Sequence, residues 1–181
     1  LAQRDSLTRV EEILVPTDAP PRPLRDPVQQ AVIAECAAKI KTARDNGRSV
    51  MLIYGAHLLR NGAALLLDEL MSAGYLTHLA TNGAGTIHDW EYAWFGASTE
   101  SVEMGVAGGK FGTWHETATN IHVALMAGAL EGLGYGRSLG KFIHEDGVTL
   151  PSVWELRDAI QKDPAHPLTA ARADLLQAML Q

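Results

Sequence analysis

The chain is poor in cysteine and aromatics, with one cysteine and 6% Phe, Trp and Tyr, and each scarcity removes a class of protein. A lone thiol, Cys36, cannot close an internal disulfide, so no disulfide framework holds the fold. Cys36 lies in an Ala-rich segment with helical spacing, which predicts a buried small hydrophobe. No stretch approaches the ~20 apolar residues of a bilayer span, and no signal-peptide pattern is visible. The expectation is a cytoplasmic protein without membrane contact, although the chain starts at Leu1 rather than Met and residues before it are expected. Basic residues are outnumbered, 15 against 21 acidic, for a formal charge of −6. That balance lacks the basic stripe of a nucleic-acid binder. Metal-ligand patterns are missing too: there is no H-E-x-x-H or C-x-x-C, and His115 and His122 stand two helical turns apart, too far for one ion on a straight helix. No metal is expected. What remains is ordinary globular stuff, 46% hydrophobic and 20% charged over 181 residues, enough for one domain with a sizeable core.

Local patterns divide the chain. Residues 1–25 read as an N-terminal arm, with a short apolar patch (Val10, Ile13, Leu14, Val15) followed by Pro16, Pro20, Pro21 and Pro23. That run forbids a helix and points to an arm laid across the surface or a neighbouring subunit. From Asp26 to Asn46 apolar residues recur at helical spacing (Val28, Val32, Ile33, Cys36, Ala37, Ile40), opened by Asp26-Pro27 and stopped by Gly47. Ser49–Tyr54 is a continuous apolar run of buried-strand type. A helical pattern covers Leu58 to Ser72, and Tyr75–Thr81 reads as a second strand. A turn at Asn82-Gly83-Ala84-Gly85 then starts a further helix. Strand–helix–strand–helix with short glycine turns is the βαβ signature, so residues 26–181 are expected to form a single α/β nucleotide-binding domain with a Rossmann-like parallel sheet and a helix-rich second half. Capping-box spacing at Thr113–Glu116 and Ser152–Glu155 marks two of the later helices. Only two strands are convincing, and such a sheet cannot cover its own faces and edges. The expectation is therefore an incomplete chain, part of a longer domain.

In an open α/β sheet, ligands bind beyond the carboxyl ends of the strands. Two segments fall there, Gly55–Gly62 and Thr81–Asp89. The second combines glycines, which let a ligand approach the backbone, with a helix N-terminus whose amides attract phosphate. The amides from Asn82 to Thr86, Gly85 included, are the expected pyrophosphate grip. By spacing, Gly83-Ala84-Gly85 begins a G-x-G-x-x-G pattern, but His88 occupies the third glycine position.

The stretch Tyr54–Asp89 resembles the first βαβ unit of deoxyhypusine synthase and its relatives. Where that family has Ser-Asn-Leu-Ile-Ser-Ser-Gly, this chain reads Ala56-His57-Leu58-Leu59-Arg60-Asn61-Gly62. Where the family has Thr-Thr-Ala-Gly-Gly-Val-Glu-Glu-Asp, it reads Thr81-Asn82-Gly83-Ala84-Gly85-Thr86-Ile87-His88-Asp89. No gap is needed between the two segments. The resemblance implies an NAD-binding fold, a hydride-transfer step on an amine substrate, and sites formed between subunits of a homo-oligomer. It carries His57, Asn61, Thr81, Asn82, Gly83 and Ala84 onto cofactor-contacting positions, and places His88 and Asp89 where the family has acidic residues near cofactor and substrate. The chain departs from the family in two respects. The paired glutamates are Ile87 and His88 here. The late Trp-Gly-Lys motif that holds the family's catalytic lysine is absent, and neither Lys110 nor Lys141 stands at a matching position.

Among the seven histidines, His88 is the expected base, since a neutral imidazole can take a proton from an amine or hydroxyl, with Asp89 as its orienting partner or a cation anchor. His57 sits at the other turn. His78, inside a strand, is expected in the core. Trp90, Trp94 and Phe95 either pack a helix onto the sheet or wall a cofactor ring. Three functions remain open: an NAD-dependent, deoxyhypusine-synthase-like enzyme acting on an amine or aminoalkyl substrate; a non-catalytic NAD-binding or regulatory module; and a hydrolase or lyase of phosphate esters using His88 and Asp89.

Overall fold

The structure, a computed structural model, describes residues 4–181, and the chain divides into two compact units. The amino-terminal unit comprises Ser6–Tyr92 and Gly96–Thr99; the helical unit comprises residues 4–5, Ala93–Phe95 and Glu100–Gln181.

The amino-terminal unit opens with strand β1 (Thr8–Arg9) and a single helical turn, α1 (Val10–Ile13). Past α1 the arm is tied down, with the Val15 amide donating to the Gly62 carbonyl at 3.0 Å. Gly62 has φ of +83°, and a Cβ there would collide with the Ile13 carbonyl. Glycine is therefore the residue this close approach requires. Next comes α2 (Pro27–Asp45), capped as its sequence predicts: Asp26 accepts from the Val28 amide at 2.9 Å, with proline in the first turn. Strand β2 (Met51–Ile53) leads through α3 (Ala56–Arg60) and α4 (Ala64–Ser72) to β3 (His78–Ala80). The two strands pair in parallel, Met51 with His78, Leu52 with Leu79 and Ile53 with Ala80. Their core is Leu59, Leu67 and Leu76, with Val50, Leu52, Tyr54, Leu58 and Ala64 packed around it. Helix α5 (Gly83–Phe95) ends on Gly96 in the left-handed conformation, and β4 (Ala97–Ser98) then pairs antiparallel with β1.

The helical unit contains α6 (Val102–Ala107), α7 (His115–Leu130), α8 (Tyr135–His144), α9 (Val153–Lys162) and α10 (Thr169–Leu180). Helix α7 packs on α8 and α10, and α10 on α9, around Ile121, Ala124, Leu139, Phe142, Leu156 and Leu175. The capping box at Ser152 and Glu155 forms in full. The one expected at Thr113 does not: the N-cap is Trp114, and the Thr113 hydroxyl donates back to the Lys110 carbonyl at 2.8 Å. A local side-chain-to-backbone bond has outcompeted the cap.

The Rossmann-like parallel sheet is overturned. Helix accounts for 58% of the chain and strand for 6%, and the described residues hold only two two-stranded sheets, one antiparallel and one parallel. The βαβ pattern describes only the local pairing of β2 with β3; it does not count strands, and nothing after α5 has strand periodicity beyond the two residues of β4. A parallel ribbon of three residue pairs is bare on its outer face, with Met51 57% and Ile53 76% exposed. The same deficit corrects two burial expectations. The predicted apolar face of α2 lies open, so Cys36 is exposed rather than buried. His78 is on the surface too, its Nδ1 2.8 Å from the Thr77 hydroxyl.

Candidate functional site

Parallel pairing places the turns after β2 and β3 at the same edge of the ribbon. The Tyr54 amide donates to the Ala80 carbonyl at 2.9 Å, so Tyr54 and Thr81 leave the sheet side by side. Thr81 and Asp89 both lie close enough to perturb the Tyr54 hydroxyl. Burial, then the Asp89 charge, raises the Tyr54 pKa, offset in part by the Thr81 side chain. The Asp89 pKa is raised as well, by desolvation. Residue Asp89 as a whole is exposed by surface area. Asp89 thus keeps part of its surface in solvent while its carboxyl is poorly solvated. Tyr54 was not among the residues the sequence singled out; its position at the end of an apolar run, one residue before a glycine turn, was the available signal.

Asn82 caps α5, its Oδ1 accepting from the Gly85 amide at 3.1 Å. The Thr86 hydroxyl donates to the Gly83 carbonyl at 2.9 Å. With Gly85 satisfied by the cap, the amides of Gly83 and Ala84, in the first turn of the helix, have no intrahelical acceptor. Both residues are exposed. No heavy atom lies within 4 Å of the Cβ position of Gly83, or of Gly55 at the neighbouring turn. Gly85 faces inward, and its Cβ position is filled by the Thr81 hydroxyl.

The remaining predicted residues divide between the two turns and a second cluster. His57 is exposed in α3. Asn61 closes that helix, its Nδ2 donating to the His57 carbonyl at 2.6 Å, so its side chain is spent on local structure. His88 and Asp89, expected as a base and its orienting carboxylate, serve different partners. Asp89 answers to Tyr54, whereas His88 Nδ1 lies 2.7 Å from the Ser98 hydroxyl, which donates to Glu91 at 2.5 Å. Successive residues on a helix point about 100° apart, so His88 and Asp89 face different directions. Trp90 is fully buried, and Trp94 packs its ring 4.8 Å from that of Phe142, which makes both of them packing residues.

No protein-family model, curated protein or solved structure matches the chain. No helix among the described residues is long and apolar enough to cross a membrane.

Proposed function

We propose that the edge formed by Tyr54, Thr81–Gly85 and Asp89 binds NAD, and that the chain is a deoxyhypusine-synthase-like enzyme acting on an amine or aminoalkyl substrate. One observation carries the reading. The parallel register brings the glycine turns after β2 and β3 to one edge, with a capped helix N-terminus and a poorly solvated carboxylate beside it. The residues fit a diphosphate, since the Gly83 and Ala84 amides are accessible donors and the space before Gly83 is open. When bound, the nicotinamide would supply a hydride acceptor for a C–H next to nitrogen.

The chain's own side chains supply the rest. Asp89 attracts the ammonium of the substrate, an attraction strengthened by the weak solvation of its carboxyl. Tyr54 and Thr81, which leave the two strands side by side, flank the approach to it. His88 receives the proton released from the amine nitrogen. The exposed apolar faces of α2 and β2 support the homo-oligomer that accompanies this reading.

Thermal unfolding tests it. NAD at millimolar concentration is expected to raise Tm by mass action, about 2.7 kcal/mol at a hundredfold excess over Kd, while phosphate or AMP alone does not. His88→Ala should retain that shift and lose turnover. An unmoved melting curve refutes NAD binding in either an enzyme or a regulatory module. Equal stabilisation by simple phosphate esters would favour the hydrolase or lyase reading, and NAD binding without turnover of any amine would favour the non-catalytic module.

A further inference from the structure

Behind His88 lies a buried polar column. Ser98 is fully buried and Glu91 is 2% exposed. The Ser98 hydroxyl donates to Glu91 Oε2 at 2.5 Å and lies 2.7 Å from His88 Nδ1. The column continues through the arm: the Thr8 hydroxyl is 2.7 Å from the Tyr92 hydroxyl and 3.0 Å from that of Thr99, and it donates to the Ser98 carbonyl at 3.1 Å. Pairing of Thr8 with Ser98 across β1 and β4 fixes the register. Next to it, Thr99 is held at φ +66° while buried. That conformation is rare for a β-branched residue and persists only when its surroundings enforce it.

We propose that Glu91 and Ser98 are positioning residues that set the tautomer of His88. A hydroxyl has one proton to donate. Ser98 gives that proton to Glu91, so its contact with His88 is one that Ser98 accepts and the ring donates. The proton of neutral His88 therefore sits on Nδ1, and the basic lone pair sits on Nε2. When Nε2 takes up a proton, the resulting imidazolium is stabilised by the Glu91 carboxylate through the Ser98 bridge, and no proton has to move on to Glu91. Ser98 is shielded from solvent and committed to Glu91, so it serves as the bridge and not as a nucleophile. The catalytic meaning rests on His88 being the base of the proposed reaction, whereas the tautomer stands independently of any cofactor.

Imidazole 15N NMR of the full chain reads this out. The wild-type His88 ring should show a bias of at least about tenfold toward Nδ1–H, as expected of a charge-supported hydrogen bond. Ser98→Ala should reverse it toward Nε2–H, the form that isolated imidazole side chains favour. Glu91→Gln should retain Nδ1–H with a smaller bias, because the amide carbonyl accepts the same bond without the charge. A wild-type ring protonated at Nε2 overturns the proposal, as does a folded Ser98→Ala protein with the wild-type tautomer. If Ser98→Ala does not fold, the wild-type spectrum decides alone. An Nδ1–H ring in a protein that NAD fails to stabilise would sink the cofactor reading and leave the relay standing.

Discussion

Gly85 gives the most direct test of how the turn is built. In Gly85→Ala the new methyl would overlap the Thr81 hydroxyl, with Thr81 Cβ at 3.3 Å and Cγ2 at 3.4 Å. Thr81 is β-branched, so its χ1 has few alternative rotamers and swinging the hydroxyl away is costly. Overpacking of this kind costs about 1–3 kcal/mol. Alanine's better helix propensity offsets at most about 1 kcal/mol, so a net loss of about 1–2 kcal/mol is expected. For a chain of this size that lowers Tm by roughly 2–8 °C. The clash is pairwise, so Thr81→Ala in the Gly85→Ala background should recover most of the loss. The double-mutant cycle should show a coupling of at least about 1 kcal/mol. Thermal melts of the four proteins supply the numbers. A Gly85→Ala protein as stable as wild type, or a cycle that closes with no coupling, would refute the packing described here.

Two further outcomes follow from the same geometry. Asp89 has its folded pKa raised by desolvation, so its favourable effect on stability is complete below the ordinary aspartate value and is lost as pH climbs through the raised value. Asp89→Asn should therefore melt higher than wild type at pH 7, with the gain vanishing below about pH 3.8, the ordinary value; a variant less stable at pH 7 would contradict the assignment. Cys36, exposed on α2 of the single chain, should react with a thiol reagent in dilute, monomeric protein and become protected at concentrations where the homo-oligomer covers the α2 face; equal reactivity at every concentration would show that this face is not the subunit contact.

The stretches legible in the sequence share a short range. Helix α2 and its Asp26 cap, the Ser152–Glu155 box and the parallel pairing of two apolar runs all depend on residues within one element or one βα unit. The turn at Thr81–Asp89 was visible for the same reason, because glycines and a capping asparagine act within four residues. The partners of His88 were not visible. Ser98 lies ten residues away and is held in place by Thr8 from the far end of the unit. His88 and Asp89 were adjacent in sequence, and adjacency suggested a pair that helix geometry forbids.

Periodicity and caps by themselves determined where the helices run and which turns flank the parallel strands, since those choices are settled by backbone hydrogen bonding and side-chain spacing along the chain. Tertiary structure alone decided how many strands pair, that Cys36 and His78 face solvent, and that Tyr54 meets Asp89 while Glu91 backs His88. Those outcomes depend on what covers each face and on contacts between distant segments, and a one-dimensional pattern carries no information about either.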